Sequence, residues 1–201
     1  MSQHIRPFLK RISELTPDNS RVLDLGCGKG ELLKTLRDRR SINGYGVDID
    51  VKNVKECIRN GISVYQGNIV EALTEFQDQV FDTVILSHTL QEIYEPKKVL
   101  NEMLRVGKKA IVTFPNFGHW RIRLNLVLSG HSPRTKTLPY EWHNTPNIRV
   151  ITIKDFRRLC KESGIFIEIE EPYFRSKWIR TILPKWTYNL FSTKGLFVLK
   201  K

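Results

Sequence analysis

The sequence predicts an α/β fold in which a mostly parallel sheet carries helices on both faces. Five short apolar or β-branched runs occur in the first 114 residues, and the stretches between the first four have helical periodicity. A glycine-rich turn follows the first run directly, as in a strand that leads into a ligand-binding helix. Two more strand candidates follow residue 164. Such strand–helix alternation is typical of a parallel sheet with both faces covered.

Each predicted element has local support. We predict strands, in chain order, at residues 21–25, 44–48, 62–66, 81–87, 109–114, 165–170 and 195–200. Pro96 suits the first turn of a helix that Gly107 would end. Thr152 and Asp155 have the spacing of a capping box, and Gly164 is placed to end the helix that follows them.

The chain shows no internal repeat and no low-complexity linker, so we predict one domain over residues 1–201. Two aromatic and basic segments, at about 115–150 and 172–194, fall outside the alternating plan and are predicted insertions. In the first, Trp120, Leu124 and Val127 have helical spacing, for which packing against the sheet is the commonest explanation and docking to another protein the alternative. The second contains a pattern compatible with a partner groove or a membrane surface, formed by Trp178, Ile179, Ile182, Leu183 and Trp186.

Composition excludes several classes of protein. With 40% hydrophobic and 27% charged residues, the chain is neither disordered, collagen-like nor a disulfide scaffold. It contains no apolar run of the roughly 18 residues that a membrane span needs, and its first segment lacks the apolar core of a secretory signal. We therefore expect a cytoplasmic protein. Three cysteines without C-x-x-C spacing predict reduced thiols and no metal site.

Positive charge is concentrated in the second half of the chain. Residues 1–100 hold 14 Lys and Arg against 14 Asp and Glu, whereas residues 101–201 hold 19 against 7, which accounts for the whole formal net charge of +12. This asymmetry predicts a basic surface that attracts acidic proteins, nucleic acid, phosphorylated ligands or anionic membranes. Charge alone does not choose among these partners.

The glycine-rich turn has the sequence DLGCGKG at residues 24–30. Its glycines allow the backbone to approach a ligand closely, and the helix behind them offers unpaired N–H groups. A dinucleotide fingerprint would have its third glycine where this chain has Glu31. Because a pyrophosphate would meet like charge from Asp24 and Glu31, the loop favours a ligand with a cationic centre or an ammonium group.

Polar residues also follow the second and third strands. Asp48 lies 22 residues beyond Gly26, where a carboxylate can accept both hydroxyls of a ribose. Asn68 can hydrogen-bond an adenine edge beside the apolar Ile69, although Asn is also common in turns. Asp50 is better explained as a helix N-cap. Together, these successive strand ends indicate a nucleoside site.

These three motifs resemble those of the seven-stranded, Rossmann-like class I methyltransferases that depend on S-adenosylmethionine. The resemblance implies S-adenosylmethionine or S-adenosylhomocysteine as ligand and an antiparallel last strand. It places Asp24 and the glycine loop at the methionine part, Asp48 at the ribose, and Asn68 and Ile69 at the adenine, although the family usually has Asp at the position of Asn68. The residues implied to line the site are Asp24, Gly26, Cys27, Gly28, Gly30, Asp48, Ile49, Gly67, Asn68, Ile69, Ser87 and His88.

A narrower resemblance covers roughly residues 20–170 and rests on the runs at 86–91, 102–107, 114–124, 138–142 and 145–148. These runs are similar to the methionine biosynthesis protein MetW family. The resemblance implies a methyltransferase-like partner subunit that forms a hetero-oligomer with a homoserine O-acyltransferase, acetyl or succinyl, and activates it. Whether such a protein transfers methyl groups itself is left open by the resemblance.

The chemistry-bearing residues leave two functions open. No G-x-S-x-G elbow occurs, so acyl transfer would belong to the partner. His88 follows a strand and is the best candidate for a general base, the alternative being a histidine that lines the pocket. Tyr140 is a second candidate, in a segment that could also cover the ligand, bind a partner or pack as a loop.

The alternative function is an independent methyltransferase acting on a small molecule or RNA. Residues 87–90 lack the Asp/Asn-Pro-Pro-aromatic turn, which disfavours base methylation, and nucleic acid remains a less favoured partner.

Overall fold

The computed structural model describes residues 6–135, 138–174 and 183–201 and contains one seven-stranded sheet. The strands are β1 (Arg21–Leu25), β2 (Asn43–Asp48), β3 (Ser63–Gln66), β4 (Thr83–Ser87), β5 (Ala110–Pro115), β6 (Phe166–Tyr173) and β7 (Lys194–Lys200). Their order is β3-β2-β1-β4-β5-β7-β6, and β7 runs in the direction opposite to the other six strands. The predicted fold class is confirmed, and each predicted strand overlaps an observed one.

Helices flank the sheet in the described ranges. They are α1 (Arg6–Leu15), α2 (Glu31–Arg40), α3 (Val51–Arg59), α4 (Ile69–Thr74), α5 (Pro96–Val106), α6 (Trp120–Ser129), α7 (Ile153–Glu162) and the short α8 (Tyr188–Phe191). Helix α1 was not predicted, although Phe8 and Ile12 are buried at a spacing of one turn. None of the helices in these ranges is long and apolar enough to cross a bilayer.

The predicted helix ends are confirmed by their capping contacts. Pro96 is the first residue of α5, and Gly107 is its C-cap, whose N–H donates to the Met103 carbonyl. At the start of α7, the Thr152 hydroxyl oxygen accepts from the Asp155 N–H at 3.1 Å and contacts the Asp155 carboxylate at 2.7 Å. These contacts satisfy backbone groups that the first and last turns of a helix leave unpaired.

Core side chains alternate between the two faces of the sheet, as the period of a strand requires. Leu23 and Leu25 of β1 belong to the cluster covered by α4, α5 and α7, whereas Val22 belongs to the one covered by α1, α2 and α3. In the first cluster, the fully buried rings of Phe114 and Phe197 stack at 5.4 Å between centroids. Both faces are therefore closed by helices, and the strand ends remain for ligands.

The predicted apolar side of α6 does not pack against the sheet, so the prediction that these residues would do so is wrong. Trp120, Leu124 and Val127 are 38%, 46% and 80% exposed, and Ile122 is the one buried residue of the helix. The physical reason is that other helices already cover both sheet faces. In the second predicted insertion, residues 178, 179 and 182 lie outside the described ranges, and Trp186 is exposed.

Candidate functional site

The glycine loop after β1 adopts a backbone conformation that side-chain-bearing residues avoid. Gly26, Gly28 and Gly30 have φ values of 71°, 55° and 75°. The N–H of Gly26 donates to the carbonyl of Val47 in β2 at 2.8 Å. A Cβ atom on Gly26 would lie 2.7 Å from Thr89 Oγ1, whereas one on Gly28 would meet nothing within 4 Å. The loop therefore packs tightly against the turn after β4 at Gly26, whereas there is open space beside Gly28.

Two buried thiols support the loop from below. The sulfur atoms of Cys27 and Cys57 are 3.8 Å apart, and the Cys57 thiol donates to the carbonyl of Gly28 at 3.1 Å. Burial raises the pKa of both thiols, and both are free cysteines. A Cβ on Gly46 would come within 2.6 Å of the Cys27 sulfur, so that glycine makes room for it. Because the Cys27 side chain packs under the loop, a ligand contact from this residue would use its backbone.

The Asp48 carboxylate joins the end of β2 to the glycine loop. Its Oδ2 accepts from the Gly28 N–H at 2.7 Å, and its Oδ1 accepts from the Asp50 N–H at 2.9 Å and from the Asn53 side chain at 3.1 Å. A carboxylate offers about four lone-pair positions. The structure thus occupies three of them, and a ribose hydroxyl would use the fourth or displace the Asn53 amide.

Asp24 is a carboxylate with an unusual electrostatic environment. Its side chain is 2% exposed and makes no hydrogen bond within the described parts of the chain. Burial and the neighbouring charge of Asp48 raise its pKa to about 8. The pKa of Glu92 is also raised, by burial and in smaller part by Asp48. This acidic setting favours a positively charged ligand group and opposes a phosphate.

The end of β3 carries the residues that were predicted to meet an adenine. Asn68 is the N-cap of α4, because its side-chain oxygen accepts from the Val70 N–H at 2.8 Å. Asn68 therefore has the structural role in a turn that was the alternative to ligand binding. Its side-chain NH2 group makes no hydrogen bond in the described ranges and could still contact a ligand. Gly67 donates its N–H to the Asp48 carbonyl at 3.1 Å. Ile49 is 71% exposed, whereas Ile69 is partly buried against the core.

The turn after β4 holds His88 in a strained conformation. Its φ is 58°, in the left-handed region that few residues other than glycine adopt, although histidine occurs there more often than most. The His88 N–H donates to the Thr113 carbonyl at 2.9 Å, and its carbonyl accepts from the Gln91 side chain. Ser87 Oγ lies 3.1 Å from Thr113 Oγ1, and the His88 ring lies 6.4 Å from that of Phe8. Backbone strain of this kind is found at functional sites, but Asn19 and Gln79 in turns and Ser41 at the end of α2 also have positive φ.

Tyr140 makes no contact with the His88 turn in the described ranges. It is 49% exposed, and its hydroxyl makes no hydrogen bond there. The same loop reaches the turn elsewhere, because the N–H groups of Ile148 and Arg149 both donate to the Gln91 carbonyl at 2.9 Å. Residues 148 and 149, rather than Tyr140, therefore lie beside the His88 turn.

Buried Asn116, just after β5, ties the neighbouring segments together. Its side-chain NH2 donates to the carbonyls of Asn189 at 2.9 Å and Ser192 at 2.8 Å. Its side-chain oxygen accepts from the N–H groups of Gly118 at 2.9 Å and Ile153 at 3.3 Å. One amide thus fixes the approaches to α6 and α7 and the segment before β7.

Several residues at this edge were missed at the sequence level. Thr89 contacts the glycine loop, Asn53 holds Asp48, and Glu92 adds a third carboxylate. Asn53 follows the Asp50 cap by three residues, and from this position its side chain can reach back to the end of the preceding strand. This spacing could have identified Asn53 from the sequence. No group of three His, Cys, Asp or Glu residues that could hold a metal ion occurs in the described ranges.

Curated relatives include proteins of methionine and quinone biosynthesis. The bifunctional methionine biosynthesis protein MetXA/MetW of Rhodopirellula baltica is 40% identical over 168 residues, which are 79% of this chain and 27% of that protein. A ubiquinone biosynthesis O-methyltransferase of Hahella chejuensis is 31% identical over 93 residues, which are 44% of this chain and 39% of that protein. The chain thus spans well under half of either relative.

Solved structures share the fold at low sequence identity. A methyltransferase of Archaeoglobus fulgidus that depends on S-adenosylmethionine has a TM-score of 0.69 at 19% identity, covering 98% of this chain and 93% of its own. A similar enzyme of Mesorhizobium loti has a TM-score of 0.71 at 14% identity, covering 100% and 99%. At these identities, the likeness establishes the class I methyltransferase architecture and nothing finer.

A family model described as methionine biosynthesis protein MetW matches residues 6–199. This match spans nearly the whole chain, and it agrees with the MetXA/MetW relative and with the methyltransferase-like sheet order. The chain therefore belongs to the MetW family of methionine biosynthesis proteins and has a class I methyltransferase fold.

Proposed function

We propose that this chain binds S-adenosylmethionine or S-adenosylhomocysteine at the carboxyl edge of the sheet and activates a homoserine O-acyltransferase as its partner subunit. The observation that carries the ligand half is the buried Asp24 carboxylate, which lies behind the glycine loop without a hydrogen bond in the described ranges. A cation would stabilise its charged form. Both nucleosides carry an ammonium group, and S-adenosylmethionine also carries a sulfonium.

The loop and the strand ends fit such a ligand. Gly28 has open space where a side chain would stand, which allows close approach of a ligand to the backbone. Asp48 retains acceptor capacity for a ribose hydroxyl, and Ile49 offers an exposed apolar surface for a base. When bound, S-adenosylmethionine supplies an electrophilic methyl group, whereas S-adenosylhomocysteine supplies none. The residues of the site serve to bind and orient either nucleoside.

The partner half of the proposal is supported by family membership and by one relative. The R. baltica protein carries the names MetXA and MetW together, and this chain matches only 27% of it. The remainder of that protein is long enough for a separate enzyme domain. We infer that this domain is a homoserine O-acyltransferase, because this chain resembles proteins that work with that enzyme. Because this sequence has no serine elbow of its own, the acyl chemistry is assigned to the partner.

The deciding measurement is the rate of thiol release from acyl-CoA and homoserine by the acyltransferase of the same organism. We expect the rate to rise and saturate as this chain is added, and to change when the nucleoside is varied. A chain carrying Asp48→Ala serves as the control for the nucleoside effect. An unchanged rate with folded acyltransferase, at any concentration of this chain, would contradict the partner role.

A second candidate function is methyl transfer by the chain itself, which the strained His88 beside the ligand edge favours. Incubation with labelled S-adenosylmethionine and a set of small acidic acceptors or RNA tests it. Transfer that His88→Ala abolishes, with nucleoside affinity unchanged, would establish this function. RNA binding would in addition weaken steeply with salt.

A further inference from the structure

Helix α6 exposes a continuous apolar stripe. Trp120, Leu124, Val127 and Leu128, here called the α6 stripe, are 38%, 46%, 80% and 76% exposed. Their spacing of four, three and one residues places them on one side of the helix. Ile122 points to the opposite side and is buried. A surface helix normally turns its apolar stripe to the core, whereas the α6 stripe faces outward and is available to another molecule. Leu126, on the side of Ile122, is also exposed.

Part of the stripe lines a shallow, open groove whose lining residues all belong to α6 itself. The groove has a volume of about 310 Å³ and is lined by Trp120, Arg121, Leu124, Asn125, Leu128 and Ser129. The groove lies on a helix that begins five residues after β5, at the carboxyl edge of the sheet.

The charged and aromatic groups around the stripe are already held in place. The Arg121 guanidinium lies 5.2 Å from the centre of the Trp120 ring, and the His119 ring stacks on that tryptophan at 5.9 Å. On the other flank, Arg123 Nε donates to the Gly118 carbonyl at 2.7 Å. Trp and Arg are the residues most often found at the energetic centre of interfaces, and their fixed orientation lowers the entropy lost on binding.

We infer that the α6 stripe docks a protein partner that presents an apolar surface rimmed by Asp and Glu. The inference rests on the proposed function, under which this partner is the homoserine O-acyltransferase. Charge complementarity supports an acidic rim, because arginines flank the stripe on both sides and residues 101–201 carry the whole net charge of +12. A second copy of the chain would bring like charges together and is disfavoured for the same reason.

A membrane surface also attracts helices with Trp and Arg, but two observations favour a protein. Helix α6 has only two basic residues, and both of these arginines are engaged with the chain, through a ring and a carbonyl. Binding to anionic lipid gains mainly from several mobile basic side chains that reach headgroups. A helix with two oriented arginines beside an apolar stripe matches a protein surface better.

Calorimetric titration of the acyltransferase with variants of this chain tests the inference. We expect Val127→Glu and Leu128→Glu each to weaken binding by about tenfold or more, because each places a negative charge in an apolar contact that is surrounded by acidic residues. Ile58→Glu on α3, where the side chain is 64% exposed, is the matched control and should bind like the wild type. Thermal unfolding of all three variants checks that they remain folded.

The outcomes separate the docking surface from the partnership itself. Equal affinities of the wild type and both α6 variants would overturn the α6 stripe as docking surface and leave the partnership intact. Failure of the wild type to bind the acyltransferase would overturn both. If the variants lose self-association, or lose binding to phosphatidylserine vesicles, with unchanged affinity for the acyltransferase, the occupant is a second copy or a membrane and the inference is wrong.

Discussion

The Asp48 carboxylate accepts a hydrogen bond of 2.7 Å from the backbone N–H of Gly28, so that the end of β2 fixes the tip of the glycine loop. The residue predicted to hold a ribose is thus also the residue that shapes the loop. Loss of this carboxylate would affect ligand binding in two ways, through its direct contact with the ligand and through the position of Gly28.

We therefore expect Asp48→Ala to weaken the binding of S-adenosylhomocysteine by about tenfold to a hundredfold, the range for a hydrogen bond to a charged group. Calorimetric titration measures this change. Asp50→Ala is the control, because Asp50 caps α3 through a 2.8 Å bond from the Lys52 N–H. This control should lower the free energy of unfolding by about 1 kcal/mol and keep the affinity. Equal affinities of Asp48→Ala and the wild type would place the nucleoside elsewhere.

Nucleoside affinity should depend on pH through Asp24. Its pKa of about 8 in the free protein means that a cationic ligand must displace a proton below that pH. We expect affinity to rise between pH 6 and pH 8, by up to about tenfold per pH unit, and then to level off. Calorimetry in buffers of different ionisation enthalpy should detect the released proton. Asp24→Asn should bind more weakly at pH 8 and show no such rise; the same pH dependence in this variant would exclude Asp24 as its source.

The Asp24 carboxyl group should also make the free energy of unfolding depend on pH, with a fall where the nucleoside affinity rises. Because burial raises the pKa of Asp24 in the folded state above its unfolded value, the folded state binds the proton more tightly. The free energy of unfolding should therefore decrease as the pH rises from about 4 to about 8. Asp24→Asn should flatten this part of the profile and be more stable than the wild type at pH 8. Urea unfolding at several pH values without ligand would measure it, and parallel profiles for the two proteins would contradict the assignment.

Alanine at two glycines of the loop should have different effects. Both positions have positive φ, which costs an alanine roughly 1–2 kcal/mol. At Gly26, the new Cβ would also lie 2.7 Å from Thr89 Oγ1, whereas at Gly28 it would meet nothing within 4 Å. Gly26→Ala should therefore unfold at the lower temperature, and Thr89→Ala should partly restore it. Gly28→Ala should keep most of its stability but lose nucleoside affinity. Equal melting temperatures for the two variants would contradict this packing.

Replacement of Asn116 should loosen three segments together. Asn116→Ala removes a buried side chain that makes hydrogen bonds to Gly118, Ile153, Asn189 and Ser192. The unfolding free energy should fall by about 2–4 kcal/mol, because buried partners are left unsatisfied. Hydrogen exchange should speed up in α6, α7 and the segment before β7. Asn125→Ala, at an exposed position of α6, should change stability by under about 0.5 kcal/mol. Local loosening confined to α6 would show that Asn116 is not a shared anchor.

Much of the fold could be predicted because its signals are local. β-branched runs, the proline at the start of α5 and the Thr152 capping box each act within a few residues of their own position. The Asp24, Asp48 and Asn68 motifs could be placed at one edge because parallel strands end together. What the sequence could not show is that Asn68 uses its oxygen to cap α4, since the choice between a cap and a ligand depends on the geometry of the following turn.

The predictions that failed depend on which helices cover the faces of the sheet, and this is decided by residues far apart in sequence. The apolar spacing in α6 has the same form as that of a core helix, and only the three-dimensional arrangement shows that other helices already cover both sheet faces. Helix α1 was missed although Phe8, Leu9, Ile12 and Leu15 have helical spacing, and it supplies Phe8 beside His88. Glu92 acquires its raised pKa from burial and from a charge 44 positions earlier in the chain, which periodicity cannot reveal.

The position of β7 has a consequence for synthesis of the chain on the ribosome. β7 follows β6 in sequence but lies between β5 and β6 in the sheet, and β6 pairs with no other strand in the described ranges. While β7 is still inside the exit tunnel, β6 has no place in the sheet and β5 exposes an open edge. A nascent chain at this stage offers two unpaired strands to neighbouring polypeptides. Its yield in the cell should therefore depend on chaperones that shield those strands until β7 emerges.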